Sequence, residues 1–244
     1  MFDLYDRVES ETQKADSILV IQGKQFGDAL LTTPLVDAIL QINTSAKIVV
    51  VCRKGCAAIF DELHPRVSWI QIPTTVRLWF TLIRCVKSAN VAFMPHEQTA
   101  IAVLLGLFRV PIVSNRKAFQ QVPFLNLIGV PIDVSRRHIV DQHLDLVRNR
   151  CGPLPKQDLL PSVRSLLKKN QTGVLNLPPV YIVCHPGTRW MFKSPNFGFW
   201  SEIINRINGH GIHVVITGLN SGLEGRLLKK LSSLPGVIPA YEST

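Results

Sequence analysis

Short apolar runs alternate with amphipathic stretches along most of the chain. Ile18–Ile21 (Ile-Leu-Val-Ile) is apolar throughout and bounded by polar residues, the pattern of a buried strand. After Gly27-Asp28, the residues Leu31, Leu35, Ala38, Ile39 and Ile42 recur at helical spacing, so a helix is expected there with Asp28 at its start. Pro34 falls inside that helix and should kink it or shorten its first part. Lys47–Cys52, Val67–Ile72, Val91–Met94 and Pro111–Ser114 read as further strands. Between them, Cys56–Leu63, Val76–Lys87 and His96–Leu107 read as helices. Strands and helices alternating in short units predict an α/β fold with a parallel sheet covered on both faces.

Arg116–Val134 breaks this rhythm and is expected to be irregular, with an aromatic and apolar patch at Phe119, Val122, Phe124, Leu125 and Leu127. A helix follows over His138–Arg150, with Val140, Leu144 and Val147 on one side. The stretch 152–179 is rich in Pro and polar residues and reads as a linker. A second α/β unit begins at Val180 with a short strand expected to be buried. It continues through a helix over Phe197–Asn208, a strand over His213–Thr217 and a helix over Leu223–Leu231, with a further strand starting at Val237-Ile238. The resulting division is a polar lead-in over 1–17, a Rossmann-like domain over 18–151, the linker, and a second unit over 180–244. A doubly wound domain usually needs about 100 residues or more, so the second unit is either unusually small or truncated, and truncation is the expectation.

Composition narrows the partners. The 244 residues have a net charge of +10, which suits an anionic partner: nucleic acid, an acidic membrane face or a phosphorylated substrate. Basic residues are spread along the chain, clustering only at Arg116-Lys117, Arg136-Arg137-His138 and Lys168-Lys169, and no nucleic-acid-binding signature accompanies them. No apolar run is long enough to span a bilayer, and the N-terminus lacks the basic start and apolar centre of a signal peptide. A cytoplasmic location is expected. The five cysteines form no C-x-x-C pair, and the seven histidines form no H-E-x-x-H pattern, so neither a zinc site nor a disulfide framework is indicated.

The chemistry concentrates just after two strands. Val180–Cys184 ends abruptly at His185-Pro186-Gly187, and Thr188, Arg189 and Lys193 follow. In open α/β sheets ligands bind outside the carboxyl ends of the strands. A hydroxyl, a guanidinium and an ammonium on a Gly-containing turn fit a phosphate or diphosphate, and equally a solvated surface loop. Asp28 holds the corresponding position in the first unit. A carboxylate facing such a grip is what group transfer from a nucleotide-activated donor requires; as a lone residue, Asp28 reads more commonly as a plain helix cap. No G-x-G-x-x-G opens either unit, which disfavours a dinucleotide-dependent oxidoreductase.

Gly27-Asp28-Ala-Leu-Leu-Thr-Thr-Pro34 after an Ile-Leu-Val-Ile strand resembles the N-terminal signature of the ADP-heptose:lipopolysaccharide heptosyltransferases. His185-Pro-Gly-Thr-Arg-Trp-Met-Phe-Lys193 resembles the second-domain loop of that family, especially in the heptosyltransferase III branch, which adds the third, side-chain heptose of the inner core. Arg137-His138-Ile-Val-Asp-Gln-His-Leu-Asp-Leu146 is similar to its segment before the linker. The resemblance runs from about Ile18 to the C-terminus. It implies a GT-B glycosyltransferase, inverting and independent of a bound metal or cofactor, with ADP-heptose as donor and phosphorylated lipopolysaccharide core as acceptor at the cytoplasmic face of the inner membrane. Asp28 then matches the general base, Thr188 and Lys193 the residues that hold the donor phosphates with Arg189 between them, and Glu224 an acid that binds the donor ribose. Without the family, Glu224 reads as a solvent-facing residue at a helix start. Lys24, Arg116, Lys117, Arg136 and Arg137 are candidates for acceptor binding.

Two departures stand out. The family commonly has a basic residue where this chain has Gln22, and its Asp-x-Gly-Pro-x-His-like segment, which grips the diphosphate at a helix N-terminus, does not occur before Thr244. The alternative to an enzyme is therefore a truncated, inactive relative that retains only acceptor binding, and a chain ending at Thr244 is expected not to turn over.

Overall fold

A computed structural model of the chain describes residues 12–61, 63–114, 127–129, 137–151, 159–162, 176–187, 195–218 and 220–241. The chain divides into two compact units, 1–171 and 172–244.

Unit 1 is built on β1 (Ser17–Gln22), β2 (Lys47–Cys52), β3 (Val67–Gln71), β4 (Val91–Phe93), β5 (Ile112–Ser114) and β6 (Leu127–Gly129). All pairings are parallel, and the strand order is β3-β2-β1-β4-β5-β6. Its helices are α1 (Phe26–Leu30), α2 (Thr33–Ile42), α3 (Ala57–Phe60, entered through a 3₁₀ turn at Lys54–Cys56), α4 (Val76–Ser88), α5 (Thr99–Leu107) and α6 (Ile139–Cys151).

The alternation of side chains along each strand sorts the core into two layers. Ile18, Val20, Ile48, Val50, Val91 and Phe93 face α2, α3 and α6, where they meet Leu35, Ile39, Phe60, Leu144 and Val147. Leu19, Ile21, Val51, Ala92 and Ile112 face α4 and α5, where they meet Leu82, Val86, Ile101 and Leu105. Both faces of β1 are thus covered, and Ile18–Ile21 are fully buried.

Three expectations change. Arg116–Val134 is not irregular throughout, because Leu127–Gly129 pairs with β5 as a sixth strand. Three residues are too few to show a period in the sequence. The helix expected from Asp28 to Ile42 is two helices broken at Leu31-Thr32, with Pro34 in the first turn of α2. Proline is tolerated in that turn because the N–H it lacks would have no intrahelical partner there. The helix expected from His96 starts at Thr99.

Unit 2 has a three-stranded parallel sheet, β7 (Tyr181–Cys184), β8 (His213–Ile216) and β9 (Val237–Pro239), in that order, with α7 (Phe197–Gly209) and α8 (Gly222–Ser232) as crossovers. Its core comprises Cys184, Ile204, Val214, Ile216, Leu228 and Leu231. The strand expected to be buried at Val180–Cys184 is instead an edge strand. Tyr181, Ile182 and Val183 are all exposed and only Cys184 is buried, because β7 pairs with β8 alone among the described residues.

Candidate active site

The strand order places a topological switch point between β1 and β4. The chain steps from β1 outward to β2 and β3, then returns to the other side of β1 with β4. In open α/β sheets ligands bind at such a point, outside the carboxyl ends of the strands. Gln22, Gly23 and Lys24 leave β1 here; His96 and Gln98 follow β4. The two loops touch at Gly23, where a Cβ would lie 1.9 Å from Gln98 Nε2. A side chain at position 23 would displace the Gln98 amide from this contact.

Asp28 follows β1 at this switch point as the third residue of α1, whose N-cap is Gln25. It is therefore not the cap expected from sequence. Gln25 makes no side-chain cap bond, and Asp28 places its carboxylate in the first turn, where negative charge is favoured. Asp28 is half-buried, and no hydrogen bond or ion pair to its carboxylate is found among the described residues. Its backbone carbonyl accepts from Thr32 Oγ1 at 2.8 Å.

A five-residue helix cannot hold its own position, since nearly all its carbonyls fall in the last turn. In α1 each of these is satisfied. The Gly27 carbonyl accepts from Leu31 N at 3.0 Å and that of Ala29 from Thr32 N at 3.1 Å. The Leu30 carbonyl accepts from Thr33 Oγ1 at 2.9 Å. The Leu31 carbonyl accepts from His143 Nδ1 at 3.1 Å, which fixes that imidazole with its proton on Nδ1. His143 is fully buried on α6, and its ring meets that of buried His96 edge-on at 5.1 Å between centroids. One histidine thus links the end of α1 to the loop after β4.

The floor beneath Asp28 comes from the end of β2. Arg53 Nε donates to the Gly23 carbonyl at 2.8 Å, and Cys56 Sγ donates to the Lys24 carbonyl at 3.8 Å. Burial pushes the Cys56 thiol above its ordinary range; Arg53 acts against this and Asp28 with it, so all three groups share one electrostatic neighbourhood. Burial, with Cys56 beside it, pushes Cys52 up to about 12. Gln22 is fully buried; its Oε1 accepts from Lys24 N at 2.8 Å, while Nε2 has no partner among the described residues.

In unit 2 a second group of residues gathers at the carboxyl ends of β7 and β8. His185 Nδ1 lies 3.1 Å from Thr217 Oγ1. Glu224 occupies the third position of α8 and turns back to the strand ends. A Cβ on Gly187 would lie 1.9 Å from Glu224 Oε1, and one on Gly218 would lie 2.7 Å from it. Two glycines, one after each strand, clear the space that this carboxylate fills.

Of the residues singled out in the sequence, Lys24, Asp28, Arg137 and Glu224 are described. Lys24 is exposed in the β1 loop. Arg137 pairs with Asp145 on α6, and Arg148 lies 3.7 Å from the other oxygen of that carboxylate. Thr188, Arg189, Lys193, Arg116, Lys117 and Arg136 lie outside the described residues. Sequence reasoning missed Arg53, His96, Gln98 and His143. The first three follow β2 and β4 as Asp28 follows β1, so the strand-end rule could have found them. His143 carries no such signal.

No family model matches the sequence, and no curated protein matches it. Solved structures do. The E. coli heptosyltransferase WaaC with ADP is 17% identical with a TM-score of 0.67, over 93% of this chain and 75% of that one. The E. coli ADP-heptose lps heptosyltransferase II is 18% identical with a TM-score of 0.63, over 91% and 72%. A glycosyl transferase family 9 structure from Veillonella parvula DSM 2008 is 15% identical with a TM-score of 0.62, over 93% and 70%. The chain has an α/β fold of the GT-B type, a Rossmann-like domain followed by a smaller parallel unit. Within that type, the fold is the one adopted by the heptosyltransferases.

Proposed function

We propose that the chain belongs to a glycosyltransferase that moves heptose from ADP-heptose onto the phosphorylated inner core of lipopolysaccharide. The observation that carries this reading is the Asp28 carboxylate, held at the β1–β4 switch point with no hydrogen bond or ion pair among the described residues. A half-buried carboxylate left unengaged just beyond a strand's carboxyl end suits proton acceptance from a substrate, which supports this reading. The likeness to solved heptosyltransferases, one with ADP and one with a fluorinated ADP-heptose, supports the choice of donor.

Asp28 takes the proton of the acceptor hydroxyl as its oxygen bonds the anomeric carbon. The bond from that carbon to the diphosphate breaks on the opposite face, and ADP leaves with the electron pair. A single displacement of this kind inverts the anomeric centre. Thr188, Arg189 and Lys193 supply a hydroxyl and two cations to the departing diphosphate. Glu224 accepts hydrogen bonds from the ribose hydroxyls, a role supported by its place between the ends of β7 and β8. Lys24, Arg116, Lys117, Arg136 and Arg137 supply positive charge toward the phosphorylated acceptor. The enzyme works at the cytoplasmic face of the inner membrane, as a peripheral protein; no helix among the described residues is long and apolar enough to cross a bilayer.

A donor screen tests the reading. The glycosyltransferase to which the chain belongs should consume ADP-heptose in the presence of core acceptor and should leave UDP- and GDP-linked sugars untouched. Equal turnover of several nucleotide sugars, or preference for a donor other than ADP-heptose, contradicts it.

A further inference from the structure

The surface of unit 1 that the site does not explain is the outer side of α4 and α5. Leu82 and Val86 of α4 pack with Ile101, Ala102 and Leu105 of α5 in one layer on the sheet, so the helices lie side by side. Lys87 Nζ stands 5.7 Å from the centre of the Phe108 ring, which joins the C-terminal ends of the two helices. Along the outer face of α4, Arg77, Phe80, Arg84 and Lys87 are exposed at helical spacing. Phe80 is 62% exposed, and Leu107 at the end of α5 is 70% exposed. From Leu63 to Ile132 the sequence holds a single acidic residue, Glu97.

Exposed apolar residues occurring singly are ordinary. Here large apolar side chains stand among cations on adjacent helices, with almost no acid in the surrounding sequence. Nucleic acid would use the cations but gives no role to a protruding Leu107. A packed protein interface would deplete charge from its centre. A bilayer surface matches both components: phosphates for the cations, and the headgroup–acyl boundary for aromatic and aliphatic side chains.

We infer that the outer face of α4, with the C-terminal end of α5, docks on an anionic phospholipid bilayer. Arg77, Arg84 and Lys87 meet headgroup phosphates, and Phe80, Leu107 and Phe108 enter the interfacial layer. The inference rests on the proposed reaction only in taking the acceptor to be membrane-borne, and its test does not use transfer.

The full chain is sedimented with vesicles of phosphatidylcholine alone or with roughly a third phosphatidylglycerol, both free of lipopolysaccharide. Anionic vesicles should retain the protein and neutral ones should not. Arg84→Glu with Lys87→Glu should lower the partition coefficient by more than about tenfold, and Phe80→Ser by about fivefold. Lys229→Glu with Lys230→Glu, an equal change of charge on exposed positions of α8, should lower it by less than about threefold. Equal losses in both pairs would assign retention to net charge and overturn the inference. Retention that neither pair alters would overturn it too, by placing the bilayer contact on another surface, and absence of retention on anionic vesicles would overturn it outright. Transfer to a detergent-solubilised acceptor, measured with the same substitutions in the whole glycosyltransferase, is expected to be unchanged in the α4 variants. Absence of transfer in the whole glycosyltransferase that carries this chain contradicts the proposed reaction and leaves the docking result to stand or fall on the vesicles.

Discussion

Glycine and glutamate are coupled in unit 2. A methyl at Gly187 meets only the far end of a flexible side chain, Glu224 Oε1, so the fold yields at little cost while the carboxylate moves. Gly187→Ala should therefore weaken ADP binding by about tenfold, near the lower end of the cost of losing a hydrogen bond to a charged group, with little change in stability. Glu224→Ala should weaken it at least as much. The double variant should be no worse than Glu224→Ala alone, because both changes remove one contact; additive losses measured by calorimetry would separate the two residues. Cys52 supports a different expectation. Its thiol stays neutral in the fold up to about 12, against an ordinary value of 9.0. A raised folded value contributes stability that is complete below the unfolded titration and lost as pH climbs toward 12. Unfolding free energy should therefore fall by about 1.4 kcal/mol per pH unit in that window from this group, and Cys52→Ala should flatten the slope. Asp28 and Glu224 were legible as residues because each follows a readable strand. The unpartnered amide of Gln22 was not, since a side chain's neighbours are non-local.

The element that decides the site is α1. Its last-turn carbonyls are taken by Leu31 N, Thr32 N, Thr32 Oγ1, Thr33 Oγ1 and His143 Nδ1, and only the last comes from a distant part of the chain. His143→Ala should lower stability by about 2–4 kcal/mol through the lost bond and the cavity it leaves. It should also raise amide exchange at Ala29, Leu31 and Thr32 more than in β1. His143→Asn, whose amide can donate near the position of Nδ1, should recover much of both. Uniform exchange across unit 1 would make His143 a core residue with no special hold on α1. The hydrophobic period showed apolar positions on one helix face from Leu31 to Ile42 but could not show the break, because two helices in near-register leave the same pattern as one. Proline supplied the signal, though its expected outcome was a kink. β6 escaped for want of length, and β7 was misjudged because an apolar run alone does not say whether a strand lies at a sheet's centre or edge.

At the scale of the molecule, alternation of strand and helix was enough to predict a parallel α/β sheet, and the strand order then locates the switch point. That order is not written in any local pattern; it follows from which neighbours cover β1, whose two faces are both apolar. The charge of +10 suits an anionic partner without choosing among nucleic acid, an acidic membrane face and a phosphorylated substrate. The choice rests on Asp28. Heptose transfer from ADP-heptose should fall by about 10²- to 10⁴-fold in Asp28→Asn relative to the parent protein, with ADP affinity in the same preparations unchanged within about threefold. Transfer retained by the variant, or ADP affinity lost while transfer persists, would contradict a base at this position.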